Sequence, residues 1–391
     1  MSGIGVLGRS SRETFWPGVT AARAPRGKRP RVDPLLVGTT IGLACFGVLM
    51  VFSATRGPGG PDDPVRYDYL WRQALFVAVG LVVLWSCYRV GLERLRPFVH
   101  VAWLVTVAAL ALVLTPLGTE AKGAQAWFSV GPFQIQPGEF AKLGVILPLA
   151  AILGRSEGEP GAAGVVAALG VAGVPIGLIA LQPDLGTILV FVVITMAMLL
   201  VSGVRASWLV ALVALGLLCS AAILTSDVLE QYQKDRLTEF LNPARDLRGI
   251  SYNPTQAQMA VSAGGFWGSG LFDGTLTRGS HVPEQQTDFI FTVVGEELGF
   301  VGAVCVLSAY AVLLWRILRA ARRARDPYEA LVCVGVFALF LFQIFQSVGM
   351  SIGIMPVTGL PLPLMSYGGS QTVTSFAALG FVLAAGARES G

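Results

Sequence analysis

The sequence predicts an all-α polytopic membrane protein with about ten transmembrane helices and a long outer loop between the seventh and eighth. Three observations lead there. Of the 391 residues, 54% are hydrophobic and only 13% are charged, half the charged share of an average soluble domain. The mean hydropathy is +0.66, and that much apolar surface is stable against lipid but not against water. The apolar residues also fall in long uncharged runs, and 47 glycines suit close helix packing in a bilayer. A soluble enzyme, a disordered chain, a coiled coil and a nucleic-acid binder are excluded, so no nucleic-acid partner is expected.

A crossing helix needs roughly 20 mostly apolar residues. The stretches that qualify are 34–54, 70–88, 97–118, 139–154, 161–182, 185–203, 207–225, 289–315, 330–353 and 370–387. The fourth is short and carries Lys142. Residues 1–33 are basic and rich in Pro and Gly, and read as a disordered cytoplasmic tail beside anionic lipid. They contain no short apolar segment with a small-residue cleavage site, so the first span reads as an uncleaved anchor. Residues 34–388 then form one ten-span domain, with 226–287 as a large extracellular loop. Most of the 28 Lys and Arg residues gather on one side: the tail, Arg89 to Arg96, Arg155, Arg205, and Arg316 to Arg325. The positive-inside rule makes both termini cytoplasmic.

The five cysteines lie in apolar stretches without metal spacing, and His100 and His281 are the only histidines. Disulfides, a zinc site and histidine acid–base machinery are therefore not expected. Without a P-loop, dinucleotide fingerprint, nucleophile elbow or HExxH motif, any chemistry must run on carboxylates.

Ionisable groups at membrane depth are costly and mark functional sites by default. Glu139 and Lys142 are three residues apart at the start of the fourth span and can pair on one face. They form either a neutralised helix-end pair or the charged wall of a watery cavity. Asp184, in "QPDLGT", either caps the sixth span or serves a site. Glu296 and Glu297, adjacent in the eighth span, point about 100° apart, so at least one faces the bundle interior. Asp288 stands where the outer loop meets that span, as a cap or as a reactive group. Earlier in the loop, Leu229, Tyr232, Leu237, Phe240 and Leu241 share one face of an expected amphipathic helix. The segment "PVTGLPLPLMSYGGS" is too rich in Pro and Gly for regular helix. At membrane depth such backbone must be buried in protein or line a cavity.

These stretches resemble the SEDS family (shape, elongation, division, sporulation) of bacterial cell-wall polymerases. "GAQAWF", "FQIQPGEFAK", "QPDLGT", "YQKDRLTEFLNP", "SGLFDGT", "VPEQQTDFIFTVVGEELG" and "MPVTGLPLPLMSYGGS" carry the resemblance in family order. Pro361, Pro363 and the "GAQ" at 123–125 resemble the RodA elongation branch more than the division branch.

The resemblance implies a peptidoglycan glycosyltransferase in the bacterial cytoplasmic membrane. It would polymerise lipid II, an undecaprenyl-diphosphate-linked disaccharide peptide, on the outer face. Asp288 maps onto the family's essential aspartate, as general base. Glu139, Lys142, Trp127, Asp184, Gln256 and Glu284 are the implied binding or supporting residues. Lys142 is the fixed cation expected near the leaving diphosphate, supplemented by a divalent cation, Mg or Mn. The implied partners are elongation-complex proteins and a class B penicillin-binding protein docked on spans eight and nine and the outer loop. Ala126, Gly138, Asn253 and Ser347 depart from the family pattern, and Ala126 replaces an arginine. A lipid II flippase or a scaffold shares many of these features.

Overall fold

The structure, a computed structural model, describes residues 32–56, 66–121, 124–131, 133–155, 160–225, 252–279, 282–324 and 326–387. The tail 1–31 and the amphipathic helix expected near Leu229 lie outside the described residues.

Each apolar stretch holds a helix. They begin with α1 (Pro34–Thr55) and α2 (Asp68–Val90); a short α3 (Leu92–Leu95) leads into α4 (Val99–Val113). Next come α5 (Pro137–Leu153), α6 (Ala162–Ala180), α7 (Leu185–Val201) and α8 (Ala206–Thr225). The outer loop contributes α9 (Tyr252–Ala263) and α10 (Thr275–Arg278), and α11 (Ile290–Arg323), α12 (Pro327–Ser351) and α13 (Gly369–Gly386) complete the bundle. The α1, α2, α6, α11 and α12 helices and the stretch Leu92–Val113 are long and apolar enough to cross a membrane, while α7 is a shorter apolar helix.

Burial separates the centre from the rim. The α5, α12 and α13 helices are buried along most of their length. By contrast, α2 and α8 expose Trp71, Val82, Val210, Leu217 and Leu218, as lipid-facing helices do. Small residues bring α13 against α2: side chains at Gly80 and Gly380 would collide with the Phe376 ring and the Leu84 carbonyl. One end of the bundle is tied by ion pairs. Asp33 caps α1 through the Leu35 and Leu36 amides and accepts from Arg316 near the end of α11. Arg96 bridges to Asp326 at the start of α12. The site lies at the other end.

Two features depart from the helix-only expectation. Between α4 and α5 the chain forms an antiparallel sheet, β1 (Thr119–Ala121), β2 (Ala124–Val130) and β3 (Phe133–Ile135). It is ordered β1-β2-β3, with Thr119 opposite Trp127 and Phe128 opposite Ile135. The Gln125 side chain anchors it by donating to the Thr115 carbonyl over 2.8 Å.

The eighth span is also not one helix. α11 breaks at Gly299, whose φ of 64° is open to glycine and strained for other residues. The break frees the carbonyls of Glu296 and Glu297 and the amides of Phe300 and Val301. The outer loop takes up all four: Ser269 and Gly270 donate to the carbonyls, and the carbonyls of Gly265 and Phe266 accept from the amides. Gly264 and Gly268 allow that approach, because a side chain at either would strike the backbone of residues 295–298. Both adjacent glutamates are buried. Glu296 accepts from the amides of Leu276 and Thr277 at 2.8 and 2.9 Å and so holds α10. Glu297 accepts from Ser53 on α1.

Candidate active-site cavity

Six chain segments meet around a cavity of about 310 Å³. They are β2 with Ala126 and Trp127, the first turn of α5 with Glu139, and the start of α7 with Asp184. The others are the turn before α11 with Thr287 and Asp288, the irregular stretch 356–361, and the start of α13 with Ser370 and Gln371. Of the residues singled out in the sequence, Trp127, Glu139, Asp184 and Asp288 therefore share one lining. Gln256, on α9, and Glu284 stand outside it.

Each carboxylate arrives for a local reason. Pro137 opens α5, and its preset φ suits a first helical turn. Glu139 follows in that turn, where the helix dipole favours an anion. The Gln136 amide donates to Ser370 Oγ over 2.9 Å, tying this turn to α13. Asp184 is both a cap and a cavity residue, since it accepts from the Thr187 amide at 2.9 Å and hydroxyl at 2.7 Å.

Asp288 is not the cap of α11. The N-cap is Phe289, whose side chain makes no capping bond. A tight turn presents Asp288 instead: the Glu284 carbonyl accepts from the amides of Thr287 and Asp288 at 3.1 and 3.0 Å. The Thr287 hydroxyl also donates to Glu284 Oε2. Glu284 therefore supports Asp288 through the backbone. Across the cavity wall, a Cβ on Gly359 would stand 3.5 Å from Asp288 Oδ2, and Gly359 has a φ of +72°.

Lys142 is placed differently from the expectation. It is 1% exposed, donates to Glu139 Oε1 over 2.5 Å, and does not line the cavity. One helical turn deeper than Glu139, it meets the carboxylate before it can meet a ligand. Among the described lining residues there is no Lys or Arg, and Ala126, where the resemblance leads one to expect an arginine, is one of them. The Gly138 departure is sterically mild, because an added Cβ would meet only Thr187 Cγ2 at 3.8 Å. The Ser347 hydroxyl is buried without a hydrogen-bond partner among the described residues.

Reading the sequence residue by residue missed Thr358, Gly359, Tyr367 and Gln371, although the Pro/Gly-rich segment containing the first three was recognisable. Burial pushes the Tyr367 phenol above its usual range, against the lowering effect of a hydrogen bond and charge from Arg72.

Comparison with known proteins agrees with this architecture. The FtsW/RodA/SpoVE description, "Cell cycle protein", matches residues 34–390. The chain belongs to this family. Its relatives include stage V sporulation protein E of Bacillus subtilis (strain 168), 35% identical over 91% of this chain and 97% of that protein. Peptidoglycan glycosyltransferase MrdB of Escherichia coli (strain K12) is 32% identical over 95% of each chain. Among solved structures, a chain of a peptidoglycan synthase complex that coordinates polymerization and crosslinking is 33% identical. It superimposes with a TM-score of 0.76 over 90% of this chain and 97% of that one. The rod shape determining protein RodA of Thermus thermophilus gives a TM-score of 0.65 at 31% identity, over 90% and 95% of the two chains. In this FtsW/RodA/SpoVE chain the cavity thus sits in a fold shared along nearly the whole length of solved relatives.

Proposed function

We propose that the chain is a peptidoglycan glycosyltransferase that polymerises lipid II at the outer face of the cytoplasmic membrane, with both termini inside. The observation that carries this is the convergence of Glu139, Asp184 and Asp288 on one cavity walled by irregular backbone. Relatives bear the name peptidoglycan glycosyltransferase, which supports the reaction class. Pro361, Pro363 and the "GAQ" stretch support the elongation branch. The similar identities to SpoVE, FtsW and MrdB relatives support only the reaction that the branches share.

The acceptor sugar hydroxyl attacks the anomeric carbon of the donor strand and loses its proton, while the bond to the lipid diphosphate breaks. Asp288 is the general base; its support from the 284–288 turn keeps it fixed while the substrate moves. Glu139, paired with Lys142, and Asp184, held by the two Thr187 donors, shape the polar wall. Trp127 offers an apolar face to the sugar.

The leaving diphosphate develops negative charge that needs a cation, and the described lining residues supply none. Among the described residues no group of three or more His, Cys, Asp and Glu could hold a metal ion, so an all-protein cage does not fit. Asp184, a lining carboxylate that is not the base, would be the residue to hold a Mg or Mn ion beside the substrate. Such an ion supplies charge neutralisation at the leaving group. The partner in this reading is a class B penicillin-binding protein, with elongation-complex proteins around it. The synthase complex containing the similar solved chain supports that pairing.

The test is glycan-strand formation from purified lipid II by the full chain, alone and with its partner. Strands that disappear in Asp288→Asn support the reading. Movement of lipid II across vesicles with no strands made would favour the flippase.

A further inference from the structure

The cavity wall formed by residues 356–361 has no regular structure, and two prolines bracket it. Proline supplies a carbonyl but no amide, so the wall must be fixed from outside. It is fixed at both ends in the same way. Gln346, on α12, donates from Nε2 to the Pro356 carbonyl over 2.8 Å. Gln371, on α13, donates from Nε2 to the Pro361 carbonyl over 2.9 Å. Both glutamines are buried, and the Oε1 of each has no hydrogen-bond partner among the described residues. An amide that leaves its own oxygen unsatisfied in the interior incurs a desolvation cost, which its donor contact alone offsets. Between the two pins stands Gly359, which faces the carboxylate: a Cβ added there would lie 3.5 Å from Asp288 Oδ2.

We propose that Gln346 and Gln371 are positioning residues for Asp288. Pinning the two prolyl carbonyls sets where Gly359 stands, and Gly359 bounds the space that the Asp288 carboxylate can occupy. The inference rests on the reading of Asp288 as the catalytic base. Reacting groups tolerate little misplacement: a shift of about 1 Å costs as much as about 100-fold in rate. Loosening either pin therefore acts on turnover more than on substrate capture.

The experiment is lipid II polymerisation by the full chain carrying Gln346→Leu or Gln371→Leu, with kcat and KM separated and the folded fraction measured by thermal unfolding. The expected result is a kcat lowered about 10- to 100-fold, with KM within about threefold of the parent. Each change is also combined with Asp288→Glu. The combined loss should be smaller than the product of the separate losses, because a base already displaced cannot be displaced again at full cost. A merely structural role lowers the folded fraction and multiplies equally in both backgrounds, and that outcome overturns the proposal. Should a leucine variant not fold, Gln346→Glu and Gln371→Glu apply the same test, because each keeps the side chain's size while removing the Nε2 donor to the prolyl carbonyl. Asp288→Asn, run in parallel, separates the two ideas. If it polymerises normally, the reading of Asp288 fails; if it is inactive while both leucine variants keep the parental kcat, only the positioning role fails.

Discussion

Lys142 Nζ lies 2.5 Å from Glu139 Oε1, and of the two residues only Glu139 lines the cavity. The lysine therefore reaches the site through its partner, as a counter-charge that allows a carboxylate to sit in the wall. Removing one member of a buried pair strands the other and costs roughly 3–5 kcal/mol. Lys142→Met should accordingly lower the thermal midpoint in detergent sharply, and Glu139→Gln should do the same. The exchange Glu139→Lys with Lys142→Glu should regain much of that stability without regaining glycan synthesis, since it turns the wall from anionic to cationic. Full activity in the exchanged protein would show that the pair serves folding alone.

Asp288→Asn should lower lipid II polymerisation roughly 10²- to 10⁴-fold, the usual worth of a general base. The loss should exceed any fall in the folded fraction, since the α11 cap is Phe289 and not Asp288. Single-turnover strand synthesis together with a melting curve checks both halves. A fall in melting temperature that accounts for the lost activity would contradict the catalytic role.

Much of this site was legible in the sequence because burying charge in a membrane protein is costly. Glu139, Asp184 and Asp288 stood out against apolar surroundings, and proline and glycine at 356–369 ruled out helix there. Gly299 gave no comparable signal, since glycine is common inside membrane helices and the break depends on loop residues far away in sequence. The sheet at 119–135 was hidden for a related reason. Its strands are short, and pairing, not composition, creates them. The depth of Lys142 could not be read either: spacing put it on the face of Glu139 but could not say which of the two is nearer the cavity.

Glu296 predicts a local defect. Its carboxylate satisfies two α10 amides and the Thr277 hydroxyl from a buried position. Glu296→Ala leaves those donors without their acceptor, at roughly 1–3 kcal/mol for each buried group. Hydrogen exchange should accelerate first in residues 264–279, ahead of α12 and α13. Uniform acceleration across the bundle would mean that Glu296 supports the whole fold and not the loop in particular.

Metal removal tests the missing cation. Chelation of Mg and Mn should slow strand synthesis by the full chain, and restoring either ion should recover it. Glu139→Gln should keep the same metal requirement, because Glu139 is committed to Lys142. Undiminished synthesis in excess chelator would assign leaving-group stabilisation to the protein alone.

The last prediction concerns where a partner helix docks. Gly349 and Gly353 look in sequence like a smooth surface for a foreign helix, but the structure gives them internal roles. A side chain at Gly349 would collide with Met355, and one at Gly353, whose φ is +80°, with Gln258. Leucine at either position would therefore damage the fold before it reported on docking. The apolar side chains that these helices present outward are Leu341 and Phe345 on α12, and Phe300, Val304 and Leu307 on α11. Leu341 and Phe345 are four residues apart, and Phe300, Val304 and Leu307 follow at four and three, so each set shares one helix face. Single cysteines replacing Leu341, Phe345 or Val304 should crosslink to the transmembrane helix of a class B penicillin-binding protein. Val82→Cys, on the outward face of α2, should not. Crosslinks that form at Val82 and are missing at Leu341, Phe345 and Val304 would move the partner to the opposite side of the bundle.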